Sequence, residues 1–197
     1  MKGLLAAAAV CVLLVAAPAF AQTAGAEGVA RSWTLSQQDQ TFVKEAGAGS
    51  LAEADAGKLA MQKGGTPAIR EFGRWMYTDH GIVANNWLKE IMAAQHQPFE
   101  PTLTAEQRQM QQKLEGLSGR EFEREYIQYQ VTDHEKTIPI FEKEARDGQN
   151  PMIKNFAENL VPVLRQHLDE AKILAGNTAM AGRGVNAGES TGSSTQR

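Results

Sequence analysis

The strongest constraint on the fold is a helical repeat of apolar residues that runs through most of the chain. Between residues 36 and 175, apolar and small side chains recur at a spacing of about 3.6 residues, which places them on one face of a helix. No segment shows the strict apolar–polar alternation of a half-buried strand. The pattern therefore predicts an all-α fold.

Start and stop signals divide this region into four long helices and one short helix. A hydroxyl residue followed three residues later by Asp, Glu or Gln, the capping-box signature, occurs at Ser36, Thr104 and Ser118. The long helices are predicted over residues 36–63, 67–95, 118–146 and 151–175, and the short one over 104–116. Two tight hairpins joined by a long crossover that contains a short helix are the plan of a ferritin-like four-helix bundle.

Each long helix interrupts its apolar stripe once with a side chain that can bind metal. In the second helix the stripe is predicted to hold Ile69, Phe72, Met76, Val83, Trp87 and Ile91, with His80 in the gap. In the third helix, Val131 and Ile138 bracket His134. The corresponding residues of the first and fourth helices are Glu53 and His167.

These four residues lie at similar heights in the predicted bundle. At about 1.5 Å per residue, the two members of each hairpin differ by about one helical turn. We therefore expect Glu53, His80, His134 and His167 to form one layer and to bind a single transition-metal ion. Three imidazoles with one carboxylate suit zinc, copper, iron or nickel better than calcium or magnesium. The alternative is a buried hydrogen-bonded network that fixes helix register without metal.

The triplet Thr-Asp-His occurs twice, and its aspartates are Asp79 and Asp133. Each aspartate lies about 100° around the helix from the inward histidine, towards a neighbouring helix. There it could accept a hydrogen bond from an imidazole of that helix, which is how many metal-binding histidines are oriented. The other interpretation is a solvated carboxylate at the edge of the stripe.

The two ends of the chain are predicted to lie outside the bundle. Residues 1–21 have the early charge, short apolar run and Ala19-Phe20-Ala21 ending of a secretory signal peptide, with cleavage before Gln22. Residues 22–34 are predicted to be a flexible linker and 176–197 a disordered tail. The exported protein would be periplasmic or secreted. Its only cysteine, Cys11, is removed with the signal, so neither disulfides nor thiolate chemistry are expected.

The charge pattern and the motifs exclude several classes of function. Interspersed charges with a formal net charge of −3 give no basic patch for nucleic acid. After the predicted signal peptide, no further apolar segment predicts a membrane span. No nucleophile motif, phosphate-binding loop or cofactor fingerprint occurs. Three functions are consistent with the chain: a metal-binding bundle for storage, sensing or protection, a structural or interaction module in envelope stress, and a hydrolase with Glu53 as base. The hydrolase is the least favoured because it also needs an opening to solvent. The sequence identifies no protein partner.

Four segments carry a resemblance to a known family. They are FVKEAGAGSLAEADAGKLA, AIREFGRWMYTDH, LSGREFEREYIQYQVTDHEKTIPIFEKEARDG and LVPVLRQHLDEAK, which together cover about residues 40–175. In order and spacing they resemble domain-of-unknown-function family 4142 (DUF4142), and the resemblance implies a ferritin-like fold and export without assigning an activity. Di-iron ferritin-like proteins use Glu-x-x-His on two helices. Here the residues three before the histidines are Tyr77, Val131 and Leu164, which argues against a di-iron enzyme.

Overall fold

The computed structural model describes residues 35–188, with side chains as far as Thr178. Its elements are α1 (Gln37–Lys63), α2 (Pro67–Met76), a π-helical segment (Tyr77–Ala84), α3 (Asn85–Ala94), α4 (Ala105–Gly116), α5 (Gly119–Asp147) and α6 (Pro151–Gly188). The predicted signal peptide, the predicted linker and residues 189–197 of the predicted tail lie outside the described residues.

The described part of the chain forms the predicted bundle of two hairpins. Helix α1 packs against α2 and the π segment, and α5 packs against α6. Contacts of α1 with α5, and of α2 and α3 with α6, close the bundle, while α4 of the crossover lies against α1. The predicted ferritin-like, all-α architecture is confirmed. In the part that the structure describes, no helix combines the length and apolar character needed to cross a membrane.

The helix starts follow the sequence signals, with one exception. Capping boxes form at Ser36 with Asp39 and at Thr104 with Gln107, as predicted. At Ser118 the prediction is wrong, because no side-chain cap hydrogen bond forms there. The next residue, a glycine, has φ 53, and this left-handed conformation leads the chain into α5 without the geometry of a capping box.

A buried carboxylate from each hairpin holds the turn of the other hairpin. Asp39 Oδ1 of α1 accepts hydrogen bonds from the backbone amides of Gln149 and Asn150 at 3.0 and 3.2 Å. Glu123 Oε1 of α5 accepts from the amides of residues 65 and 66 at 2.7 and 3.1 Å. Charge-assisted bonds of this kind are about twice as strong as neutral ones. They fix the register of the two hairpins and therefore the relative heights of side chains in the core.

Helices α1 and α2 approach closely through two facing glycines. A Cβ on Gly57 would lie 2.6 Å from the carbonyl oxygen of Gly73, and a Cβ on Gly73 would lie 2.8 Å from the carbonyl oxygen of Gly57. Any larger residue would force the backbones apart. The small residues of the first predicted stripe thus permit the close approach that brings α1 beside the π segment.

The core consists of two apolar clusters with a polar layer between them. One cluster contains Phe42, Leu88, Phe141 and Phe156, and the other contains Phe72, Met76, Phe122 and Tyr126. On each long helix the residues between the two clusters include a buried polar side chain. These side chains are Glu53, His80, Gln130, His134 and His167.

The π segment changes which residues of the second long helix face the core, so part of the predicted stripe is wrong. Val83 was expected to face the core but is 46% exposed, and Trp87 is only partly buried, packed against Phe156; Ala84 and Leu88 are 2% and 0% exposed instead. The cause is the wider hydrogen-bond pattern of a π helix, seen where the amide of Asn85 donates to the carbonyl of the residue five before it. Because a π helix has more residues per turn, the buried positions move from 83 and 87 to 84 and 88.

The fourth long helix continues further than its sequence predicts. Helix α6 reaches Gly188, beyond the predicted end near Ala175. Glycine and asparagine weaken a helix without stopping it, and no proline follows Pro162 in the chain. The Thr178 hydroxyl also donates to the carbonyl of Leu174 at 2.8 Å, which adds a bond within this last section.

Candidate metal centre

Three histidines from three different elements converge in the polar layer. The rings of His80 in the π segment, His134 in α5 and His167 in α6 have centroids 5.3 to 5.6 Å apart, which is close to an equilateral triangle. All three residues are buried. One ring nitrogen from each lies within 4.8 Å of the other two, close enough for one ion to contact all three.

Hydrogen bonds determine which nitrogen of two of these rings carries a proton. His134 Nδ1 lies 2.9 Å from the carbonyl oxygen of Gln130 and donates to it. His167 Nε2 lies 3.0 Å from Asp79 Oδ2 and donates to that carboxylate. In a neutral imidazole the other nitrogen then has a free lone pair. The free nitrogens are His134 Nε2 and His167 Nδ1, and they face each other at 3.4 Å.

Two opposed lone pairs at this distance repel unless a proton or a cation lies between them. Zn–N bonds of about 2.0–2.1 Å at a tetrahedral angle place two nitrogens about 3.3–3.4 Å apart. The separation of His134 Nε2 and His167 Nδ1 matches this value. His80 supplies a third nitrogen, since its buried Nε2 has no hydrogen-bond partner among the described residues.

The surroundings of His80 and His134 favour the neutral form of imidazole, which binds metal. Burial, and then the neighbouring His167, lower the pKa of His134 to about 4, against the effect of the bond to the Gln130 carbonyl. Burial, followed by the two neighbouring imidazoles, lowers the pKa of His80 well below its usual value. Neutral imidazole is the ligand form, so no proton has to be removed from His80 or His134 at neutral pH.

Glu53, the fourth predicted residue, lies beside the triangle of histidines. Its nearest metal-competent neighbours are Asp133 and His134, with one atom of each within 4.8 Å of the others. The Gln130 amide donates to Glu53 Oε2, while Glu53 Oε1 has no hydrogen-bond partner among the described residues. Burial, and then the charge of Asp133, raises the pKa of Glu53 well above its usual value. The structure therefore groups Glu53 with one histidine rather than with all three.

The two aspartates of the repeated triplet have different surroundings. Asp79 makes the hydrogen bond to an imidazole of a neighbouring helix, His167. In the described part of the chain Asp133 makes no hydrogen bond to an imidazole; it lies beside Glu53 and accepts from Thr137 at 3.4 Å. Burial raises the pKa of Asp133.

Sequence reasoning missed two residues of this layer. Gln130 is fully buried and contacts both Glu53 and His134, whereas Val131, assigned to the stripe, is only half buried. The spacing of four residues before His134 on the same face was the signal that could have found Gln130. Trp75 lies edge-on to His167, with ring centroids 5.0 Å apart, and no sequence signal marked it.

Comparison with known proteins identifies the family. The family model described as "Domain of unknown function (DUF4142)" matches residues 24–174, and the chain belongs to this family. No curated protein matches the chain. Among solved structures, the crystal structure of a DUF305 fragment from Deinococcus radiodurans is similar, with a TM-score of 0.64 and 13% identity. The match covers 73% of this chain and 98% of that one, and at this identity it supports the fold alone.

Proposed function

We propose that this DUF4142 protein is exported and binds one transition-metal ion between His80, His134 and His167. The observation that carries the proposal is the pair of opposed imidazole lone pairs at 3.4 Å, each fixed by a hydrogen bond on the other side of its ring. The buried and unpaired His80 Nε2 supplies the third ligand. Burying such groups without a partner costs free energy, and a cation removes that cost.

The donor set selects a class of metal. Imidazole nitrogens without thiolates suit zinc, copper, iron and nickel, and a nearby carboxylate, Glu53, helps to balance the charge of the ion. A di-iron centre is disfavoured because such centres use bridging glutamates and Glu-x-x-His motifs. The proposed role is therefore storage, sensing or protection in the periplasm or outside the cell, with the Ala19-Phe20-Ala21 cleavage signal as the basis for export.

The rival function is a structural or interaction module whose buried polar network only sets helix register. Hydrogen bonds from α5 to Glu53 of α1, and from α6 to Asp79 of the π segment, favour it because they connect the hairpins without metal. The two functions differ in one measurable way. A metal centre is stabilised by added metal through mass action, and a register network is not.

The test is metal analysis and thermal unfolding of the untagged protein. We expect about one zinc or copper ion per chain and a rise in Tm with added metal. His134→Asn should remove stoichiometric binding. His96→Asn is the matched control, because His96 is the exposed fourth histidine, and asparagine tolerates its positive φ of 55°. Absence of bound metal together with a Tm that does not respond to metal would refute the proposal in favour of the register network.

Export has its own test. N-terminal sequencing of protein recovered from outside the cytoplasm should give Gln22 as the first residue. A retained N-terminus would refute this part of the proposal and leave the metal centre unaffected.

A further inference from the structure

A small cavity runs from the histidine layer towards the surface between α1 and α5. Its volume is about 40 Å³. Glu53, His80 and His134 line its inner end, and the half-buried or exposed residues Gly49 and Ile140 line its outer end. A water molecule needs about 10–15 Å³ measured in this way, so the cavity has room for a molecule of two or three heavy atoms.

Two unpaired polar atoms belong to residues at the inner end of this cavity. His80 Nε2 and Glu53 Oε1 are buried, and neither has a hydrogen-bond partner among the described residues. Both residues are at least nine-tenths buried, at 7% and 1% exposure. A buried polar atom without a partner is costly. An ion bound to His80, together with a small ligand hydrogen-bonded to Glu53, would satisfy both atoms.

The outer end of the cavity is kept open by a glycine. A Cβ built on Gly49 would contact nothing within 4 Å, although the residue lies in the middle of α1. Glycine is a poor helix former, so alanine would be favoured here by helix propensity alone. A larger side chain at position 49 would extend into open space at the mouth of the cavity.

From this geometry we infer that the metal ion keeps one coordination position open towards the cavity, where water or a small exchangeable ligand binds it beside Glu53. The inference rests on the proposed metal centre and adds the class of ligand, which is a molecule of up to about three heavy atoms that can bind a metal and accept or donate a hydrogen bond. Three protein ligands plus an open position are typical of centres whose metal takes part in chemistry, whereas structural centres are closed by four protein ligands.

The experiment uses full-length mature protein loaded with copper(II) and titrated with azide, a triatomic ligand whose binding to copper gives a charge-transfer absorption band. Metal content is measured first by elemental analysis, so that failure of the metal centre is recognised separately. In wild-type protein we expect a saturable azide band at one azide per copper.

Larger side chains at the mouth of the cavity test whether azide reaches the metal through it. Gly49→Leu should slow the association of azide, followed by stopped-flow absorption, at least tenfold at unchanged copper content, and Ile140→Trp should do the same from the α5 side. Gly176→Leu is the matched control, because Gly176 is an exposed helical glycine whose added Cβ would also contact none of the described residues within 4 Å. It should leave azide binding unchanged. Circular dichroism shows whether each variant is folded. Because the two blocking variants lie on different helices, the test still gives a result if one of them does not fold.

Each other outcome would overturn the inference. Copper bound without any azide band in wild-type protein would mean that the centre is closed, and the metal-binding proposal would survive. Equal rates of azide association in wild type and in the blocking variants would mean that ligands do not enter through this cavity. Absence of bound copper, together with absence of other bound metal and a Tm that does not respond to metal, would overturn the proposed function as well.

Discussion

Asp79→Ala tests whether the hydrogen bond to His167 serves metal binding or only the fold. Asp79 Oδ2 accepts from His167 Nε2 at 3.0 Å and thereby directs the lone pair of Nδ1 towards the other two histidines. Alanine removes this acceptor. The His167 ring is then free to adopt the other tautomer, in which Nδ1 carries the proton and cannot bind metal.

The size of the effect depends on whether metal is present. In metal-free protein the loss should be about 1 kcal/mol or less, because the Asp79 side chain is 25% exposed and water replaces it as acceptor. Removing such an orienting partner typically lowers metal affinity about 10–100-fold. At fixed excess metal this reduces the stabilisation by about 1.4–2.7 kcal/mol, since a factor of ten corresponds to about 1.4 kcal/mol.

The assay is urea unfolding of wild type and variant, once with chelator and once with excess zinc. Asp55→Ala is the matched control, because Asp55 is a helical aspartate with a 26% exposed side chain, paired with Lys58 at the surface. It should change neither series by more than about 0.5 kcal/mol. Equal destabilisation by Asp79→Ala with chelator and with zinc would refute the reasoning, since the bond would then serve the fold alone.

Four further outcomes are expected. Glu123→Ala should lower stability by roughly 1–3 kcal/mol in urea unfolding, because it removes the buried carboxylate that accepts from the amides of residues 65 and 66. With chelator, the contribution of His134 to stability should fall by about 3 kcal/mol as the pH drops from about 6.5 to 4, while the carboxyl groups with raised pKa, Glu53, Asp133 and Glu144, act in the opposite direction. At His134 the unfolded state takes up a proton in that range and the folded state, with its pKa of about 4, does not, so the contribution is measured as the pH-dependent difference in stability between wild type and His134→Gln. Gly73→Ala should lower Tm despite the better helix propensity of alanine, because the added Cβ would lie 2.6 Å from that of Ala60. Deleting Val83 should restore a regular helix that keeps helical circular dichroism but binds metal more weakly.

The fold was predictable because its determinants are local. Capping residues, the proline that begins α2 (Pro67) and the spacing of apolar residues each act within a few positions of the chain. Together they predicted the helices and the crossover without any knowledge of tertiary contacts. The apolar stripe of α6 shows this clearly, since its predicted members, including Leu160, Leu164 and Ala171, are all buried. Helix α6 contains a proline at 162 but no change in its hydrogen-bond period.

The arrangement around Glu53 was less predictable, because it depends on angles between helices. Sequence spacing gives the height of a side chain along its helix and the face on which it lies, but it leaves the distance across the bundle open. Glu53 lies at the expected height and on the expected face, yet Asp133 and Gln130 of α5 are its polar neighbours. The small residues of α1 and α2 allow a close approach whose extent is fixed by backbone contacts at Gly57 and Gly73.

The π segment connects the error in the predicted stripe with the proposed site. Asp79 and His80 are adjacent in sequence, yet one bonds to His167 and the other faces His134 and His167 from the same layer. In a regular α-helix adjacent side chains diverge by about 100°, which would separate these two functions. A π helix has more residues per turn, so its adjacent side chains diverge less, and such segments occur often at functional sites. The second Thr-Asp-His triplet lies in a regular α-helix, and there Asp133 lies beside Glu53 and makes no hydrogen bond to an imidazole of the described residues, while His134 joins the cluster. The same three residues thus contribute two groups to the histidine cluster where the helix is widened and one where it is not.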